Sequence, residues 1–287
     1  MKKGVNYWMV GGFEGEVPVA EAAATAKEVG YDGIELSFGV GELAPDLTQS
    51  DLQNLRIQLD DVGLPVGSMA SGFYWSKSLS SPDPSERAEA VDFTKAYIRA
   101  ASALGVEAVL VVPGNVDVPW DPSRPVVPAA QAYALSQESL RELLPIAEAA
   151  GVTLCIENVW NKFLTGPFEF AAFLDSFDSD SLKAYFDVGN CLLYGYPEHW
   201  AEVLSDRIAR VHFKNFRRRD CGGTLSDFTG SLLDGDVNWP AVFAALKAAG
   251  YDGYVTAEVI VSEKGMPDLE QAGRVCQEMA QLVEQNG

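Results

Sequence analysis

Cations are scarce in this sequence: 21 lysines and arginines face 41 aspartates and glutamates, for a formal net charge of −20. A surface so charged repels phosphate backbones and anionic lipid, which argues against nucleic acid or membrane as partner. Cysteine is sparse as well. Cys155, Cys191, Cys221 and Cys276 show neither CxxC spacing nor a dense framework, so reduced thiols are expected rather than staples. Charges or glycines interrupt every apolar stretch, and none approaches a membrane span. The opening residues, Met1 to Trp8, are too poor in apolar side chains for a signal peptide. The expectation is a soluble, cytoplasmic protein. No GxGxxG or P-loop string follows an early strand, which weakens an open, doubly wound sheet.

What is present is a regular alternation. The chain has 287 residues, 47% of them hydrophobic, enough for one large core and near the usual size of a (β/α)8 domain. Eight short apolar runs read as strands: 3–8, 33–37, 65–70, 108–113, 153–159, 184–188, 209–214 and 254–259. Most are rich in Val, Ile, Leu and aromatics, as strands buried on both faces are. Helix-period stretches over 17–29, 85–104, 129–150 and 237–249 end at Gly30, Gly105, Gly151 and Gly250, where a left-handed C-cap favours glycine. Repeated β-then-α units without a linker predict an α/β fold, a (β/α)8 TIM barrel forming a single domain over residues 1–287. The open sheet is the runner-up. Two longer loops, 114–128 and 217–236, follow strands and are therefore expected on the C-terminal face, where barrels place their chemistry.

Four strands end in a potential metal ligand: Leu-Cys-Ile-Glu157, Tyr-Phe-Asp187, Val-His212 and Thr-Ala-Glu258. These are the last four strands, consecutive around the wall. A carboxylate closing an apolar strand is costly unless it is paired or coordinated. Taken singly, each acid could cap a helix or meet a cation, and His212 could be a satisfied core histidine. Taken together they read as one site. Three carboxylates and one imidazole form an oxygen-rich set that suits Mn²⁺ or Mg²⁺, with Co²⁺ acceptable, and does not suit structural zinc.

These strings, with Asp234-Gly-Asp-Val-Asn-Trp239 before a late helix, resemble the metal-ligand segments of the sugar isomerase/epimerase superfamily, the xylose-isomerase-like TIM barrels. Within it the chain looks most similar to the bacterial hexulose- and pentulose-phosphate 3-epimerases. It departs from the free-ketose 3-epimerases, where a histidine stands three residues after the metal-binding aspartate; here that position is Asn190. It is unlike the multi-histidine endonuclease IV branch, since only His199 and His212 are present.

The resemblance implies a metal-dependent epimerase or isomerase of a ketose or ketose phosphate, working through an enediolate. Glu157 and Glu258 are expected to be ligands and also the acid/base pair, and Asp187 and His212 ligands only. Substrate contacts are expected from Glu35, Asn158, Asn190 and Lys214. Arg217 or Arg218 is expected to bind phosphate beyond the seventh strand, against the alternative of a solvated basic loop. Trp160 is expected to close the core, and His199 to start a helix. The partner is a small carbohydrate, with a homo-oligomer left open. A dehydratase of a polyol ketone or dehydroshikimate type would use the same ligands. A binding protein on a dead barrel would not need them.

Overall fold

The computed structural model describes residues 1–220, 222–259 and 266–287. Its eight strands are β1 (Lys2–Asn6), β2 (Gly33–Ser37), β3 (Val66–Ala70), β4 (Ala108–Val111), β5 (Thr153–Glu157), β6 (Leu182–Asp187), β7 (Ile208–Phe213) and β8 (Tyr254–Ala257). All neighbours pair in parallel and in chain order. β1 also pairs with β8, so the sheet closes into a barrel.

Two short helices, α1 (Tyr7–Gly11) and α7 (Val188–Cys191), top β1 and β6. The surrounding helices are α2 (Val19–Val29), α3 (Gln49–Val62), α4 (Pro84–Leu104), α5 (Ala129–Ala150), α6 (Pro167–Asp175), α8 (Pro197–Leu204), α9 (Trp239–Ala248) and α10 (Leu269–Asn286). Their limits follow from local chemistry. Thr48 and Asp51 form a reciprocal capping box that starts α3, and Leu52, Leu55 and Leu59 then face the barrel at helical spacing. Asp83 caps α4 ahead of Pro84, where a missing N–H costs nothing. Both α4 and α5 end as expected on left-handed glycines, Gly105 and Gly151. His199 lies in the first turn of α8.

Two strands differ from the expected limits in ways that shape the rim. β1 stops at Asn6, not Trp8, because the Asn6 side chain accepts from Trp8 N at 2.9 Å and begins α1. β6 starts earlier, at Leu182, and ends on Asp187, whose Oδ1 accepts from Asn190 N at 2.7 Å and caps α7. Cys155, Cys191 and Cys276 are free and buried; Cys221 lies outside the described residues. Among the described residues, no helix is long and apolar enough to cross a membrane.

Candidate metal centre

Inside the barrel, Asn6, Glu35, Ser68, Tyr185 and His212 project inward from β1, β2, β3, β6 and β7 and meet at Glu35. Glu35 Oε1 accepts from Asn6 Nδ2 at 2.6 Å and pairs with His212 Nε2 at 2.7 Å. Its Oε2 accepts from Ser68 Oγ at 2.7 Å and from the Tyr185 hydroxyl. Only 1% of Glu35 is exposed, so both oxygens are spent beneath the rim. In this structure the Glu35 carboxylate, expected at a substrate hydroxyl, holds His212. Burial alone would raise its pKa, but His212, with the hydrogen bonds from the imidazole, Tyr185 and Ser68, outweighs it and holds Glu35 below the usual carboxylate range.

Nε2 faces the Glu35 carboxylate and donates to it, so in the neutral ring Nδ1 would be the nitrogen free to bind a metal. Three acids surround that atom. Nδ1 lies 3.7 Å from Glu157 Oε1, 3.7 Å from Asp187 Oδ2 and 3.6 Å from Glu258 Oε2. Glu258 is delivered by its N–H bonding Phe213 O at 3.1 Å, which carries the β7–β8 pairing one residue further. One ligand atom from each of the four residues lies within 4.8 Å of all the others. Two donors each ~2.1 Å from a common ion stand at most ~4.2 Å apart, so the His212 distances already fit and the widest pair needs only slight closure.

Two buried atoms in this cluster, His212 Nδ1 and Asp187 Oδ2, lack a hydrogen bond. Unpaired buried polar atoms are expensive; Nδ1 has no partner, Oδ2 is met only by the Lys214 ammonium, and the two lie 3.7 Å apart. A divalent cation would satisfy both, and the donor set fits one. Lys214 supplies part of the needed charge. Its Nζ lies 2.9 Å from Asp187 Oδ2, out of hydrogen-bond alignment, and donates to Glu258 Oε2 at 2.6 Å. Gly189 makes room for it, since a Cβ there would sit 2.5 Å from Lys214 Cγ.

The fields within the cluster are strong. Burial pushes Glu157 up to about 7, with Glu258 and Asp187 adding to the rise and His212 and Lys214 opposing it. Burial likewise raises Asp187, against the pull of Lys214. For His212 burial would favour the neutral ring, but Glu35 and Glu258 outweigh it and raise the imidazole well above its usual value. Burial would also lower Lys214, yet Asp187 and Glu258 raise it.

The remaining expected contacts separate into two groups. Asn190 stays with the site: its Nδ2 donates to Glu157 Oε1 at 3.3 Å and to Asn158 O at 3.0 Å. Asn158 Oδ1 accepts from Asp187 N and its Nδ2 donates to Asp187 O, both at 2.8 Å, so this amide ties β5 to β6.

The cations of the basic string have partners within the chain. Arg217 pairs with Asp234. Arg218 donates to the Leu192 and Gly195 carbonyls and lies 4.2 Å over the Tyr196 ring. Arg219 binds Asp227, and Arg210 donates to Gly67 O on another strand. Arg217 and Arg218, expected to meet a phosphate, make loop-to-loop ties in this structure. Trp160 stacks on Phe228 and donates to Asn190 O, and so it packs the rim as expected.

Sequence reasoning missed a second feature of this face. A cavity of about 790 Å³ lies over the ends of β1, β2 and β3, walled by Trp8, Phe13, Phe38, Phe73, Trp75 and Trp120. The signal was present in the strings Tyr-Trp8 and Phe73-Tyr-Trp75 just past two strands. Near its β1 side, Val259 N, next to Glu258, donates to Met9 Sδ, next to Trp8, at 3.4 Å.

Comparison with known proteins agrees with this architecture. Residues 23–281 match the family described as xylose isomerase-like TIM barrel. An L-ribulose 3-epimerase of Mesorhizobium japonicum is 25% identical over 248 residues, spanning 84% of this chain and 75% of that one. An uncharacterized protein of Methanocaldococcus jannaschii is 25% identical over 199 residues, 67% of this chain and 63% of that one, so the match spans less than two thirds of that relative. The crystal structure of D-psicose 3-epimerase from Clostridium cellulolyticum H10, with D-tagatose, superposes with a TM-score of 0.80 at 19% identity, covering 100% of this chain and 99% of that chain. The chain belongs to the xylose isomerase-like TIM barrel family.

Proposed function

We propose that this member of the family is a metal-dependent ketose epimerase, with Glu157 and Glu258 as its acid/base pair. The observation that carries the reading is the convergence of the four donors on the two orphaned atoms, His212 Nδ1 and Asp187 Oδ2. A divalent ion held by Glu157, Asp187, His212 and Glu258 would supply Lewis acidity, polarising the ketose carbonyl and stabilising the enediolate charge.

The chain's own groups supply the rest. β5 and β8 stand at the two ends of the β5–β8 arc, so Glu157 and Glu258 approach a substrate from opposite flanks. One removes the proton beside the carbonyl and the other returns a proton to the opposite face. Lys214 fixes Glu258, Asn190 orients Glu157, and Glu35 sets the His212 tautomer. The names of the relatives, an L-ribulose and a D-psicose 3-epimerase, support an unphosphorylated ketose, as do the engaged arginines.

The test is deuterium incorporation from D₂O, followed by NMR, with the Mn²⁺-loaded protein and a panel of ketoses. Exchange at the carbon beside the carbonyl, with an epimer accumulating, is expected. Dehydrated products would instead assign the elimination class. No exchange with any ketose would sink the proposal.

A further inference from the structure

We infer that the aromatic cavity is a subsite for a second, neutral sugar ring, so that the preferred substrate is a ketose carrying a glycosyl group at the end remote from its carbonyl. This rests on the ketose chemistry proposed above and extends it to the rest of the substrate.

Size is the first argument. At about 790 Å³ the cavity is near the top of the ~300–1,000 Å³ range of pockets that hold drug-sized ligands, far more than one hexose ring needs. Chemistry is the second. Six aromatic side chains form its walls, and among the described residues lining it the only charged one is Glu14. A phosphate would find no cation there. A neutral pyranose has a face of C–H groups that packs against the electron-rich face of an aromatic ring, and hydroxyls around its edge. One hydroxyl in the wall waits for such an edge: Ser37 Oγ is buried, lines the cavity and has no hydrogen-bond partner.

Position is the third argument. Ser37 lies two residues beyond Glu35 on β2 and so shares its inward face. The cavity floor is thus one layer above the carboxylate that holds His212. A ketose with its carbonyl end at the metal cluster would extend its far end over β2 and β3. The walls there are preset. The loop carrying Trp120 is pinned by Val116 N and Asp117 N donating to Asn161 O, by Val127 N donating to Val116 O, and by the Arg124–Glu86 pair. Trp120 itself packs edge-on against Trp75, ring centroids 4.6 Å apart.

The test uses the Mn²⁺-loaded full chain and the fluorescence of its tryptophans, titrated with D-fructose, fructose 6-phosphate and palatinose, a fructose bearing glucose at O6. Palatinose should bind at least ~10-fold tighter than either of the others. Trp120→Ala should bring palatinose to within ~2-fold of fructose, while Trp120→Phe keeps most of the preference. Equal affinities, tighter binding of the phosphate ester, or a preference untouched by Trp120→Ala would overturn the inference. Deuterium exchange with fructose, run in parallel, reports on the chemistry alone. Lost exchange with an intact palatinose preference sinks the epimerase reading and keeps the subsite; normal exchange without the preference does the reverse.

Discussion

The two halves of the barrel rim are built from opposite materials. Over β5 to β8 the strand ends carry Glu157, Asp187, His212 and Glu258, with Lys214 among them. Over β1 to β3 they carry Trp8, Phe38, Phe73 and Trp75 around open space. One half concentrates charge where a reaction needs it and the other supplies shape without charge. Glu35 is where they meet, since it stands on β2 yet serves His212 on β7. On the two proposals made above, reactivity and substrate choice would fall to separate sectors of one face. Substitutions should therefore divide into those that change rate and those that change binding.

The sharpest way to break that division is through the acids. Glu157→Gln and Glu258→Gln should each lower turnover by on the order of 10²–10⁴ while leaving sugar-induced fluorescence changes in the aromatic half within a few-fold. Retained turnover would dissolve the proposed roles.

Next comes the pH response of the metal-free protein. Glu157 is held up to about 7 in the folded chain. Below the ordinary carboxylate range it is protonated folded or unfolded, and stability is unaffected. As pH rises from there to about 7 the unfolded chain ionises first, so stability falls, by on the order of 2–3 kcal/mol. The raised His212 acts in the same direction from its ordinary value upward. Glu35, held low, contributes stability that is essentially complete once pH exceeds the ordinary carboxylate range, and so does not change between the two test conditions. Urea denaturation in EDTA at pH 5 and pH 7.5 should show the fall, and Mn²⁺ should remove it; a midpoint that climbs instead contradicts this account of the charged half.

Smaller effects probe the seam. Glu35→Gln keeps the shape but offers an amide where four donors converge, and it should weaken Mn²⁺ binding by roughly 10–100-fold, read by calorimetry. Smallest is the apolar half itself. Trp75→Ala should raise KM for a glycosylated ketose by about 10-fold with kcat little changed, the mark of binding lost equally from ground and transition states.

Much of the charged half was legible because its signal is local. An acid or histidine at the end of an apolar strand stands out in the strings ending Glu157, Asp187 and Glu258, and chain order alone puts β5 to β8 side by side. The role of Glu35 was not legible. Its partners come from β1, β3, β6 and β7, and which side chains share a layer across a barrel depends on register between strands distant in sequence. The partners of Arg217 and Arg218 were hidden for the same reason: their charge is visible in a string, while Asp234 and the Leu192 and Gly195 carbonyls that meet them are brought up by folding. The aromatic cavity was written in single residues after three strands and in a loop, and only closure of the barrel brings Trp75 and Trp120 together.

Lys214 carries one more consequence. Its ammonium already rests against Asp187 and Glu258, so the acids are never left wholly unbalanced and the barrel can assemble with its own internal counter-ion. On the proposed reading, taking up a metal would then be an exchange of cations in a finished protein rather than a condition of folding, and such a barrel could be emptied and refilled without being unmade.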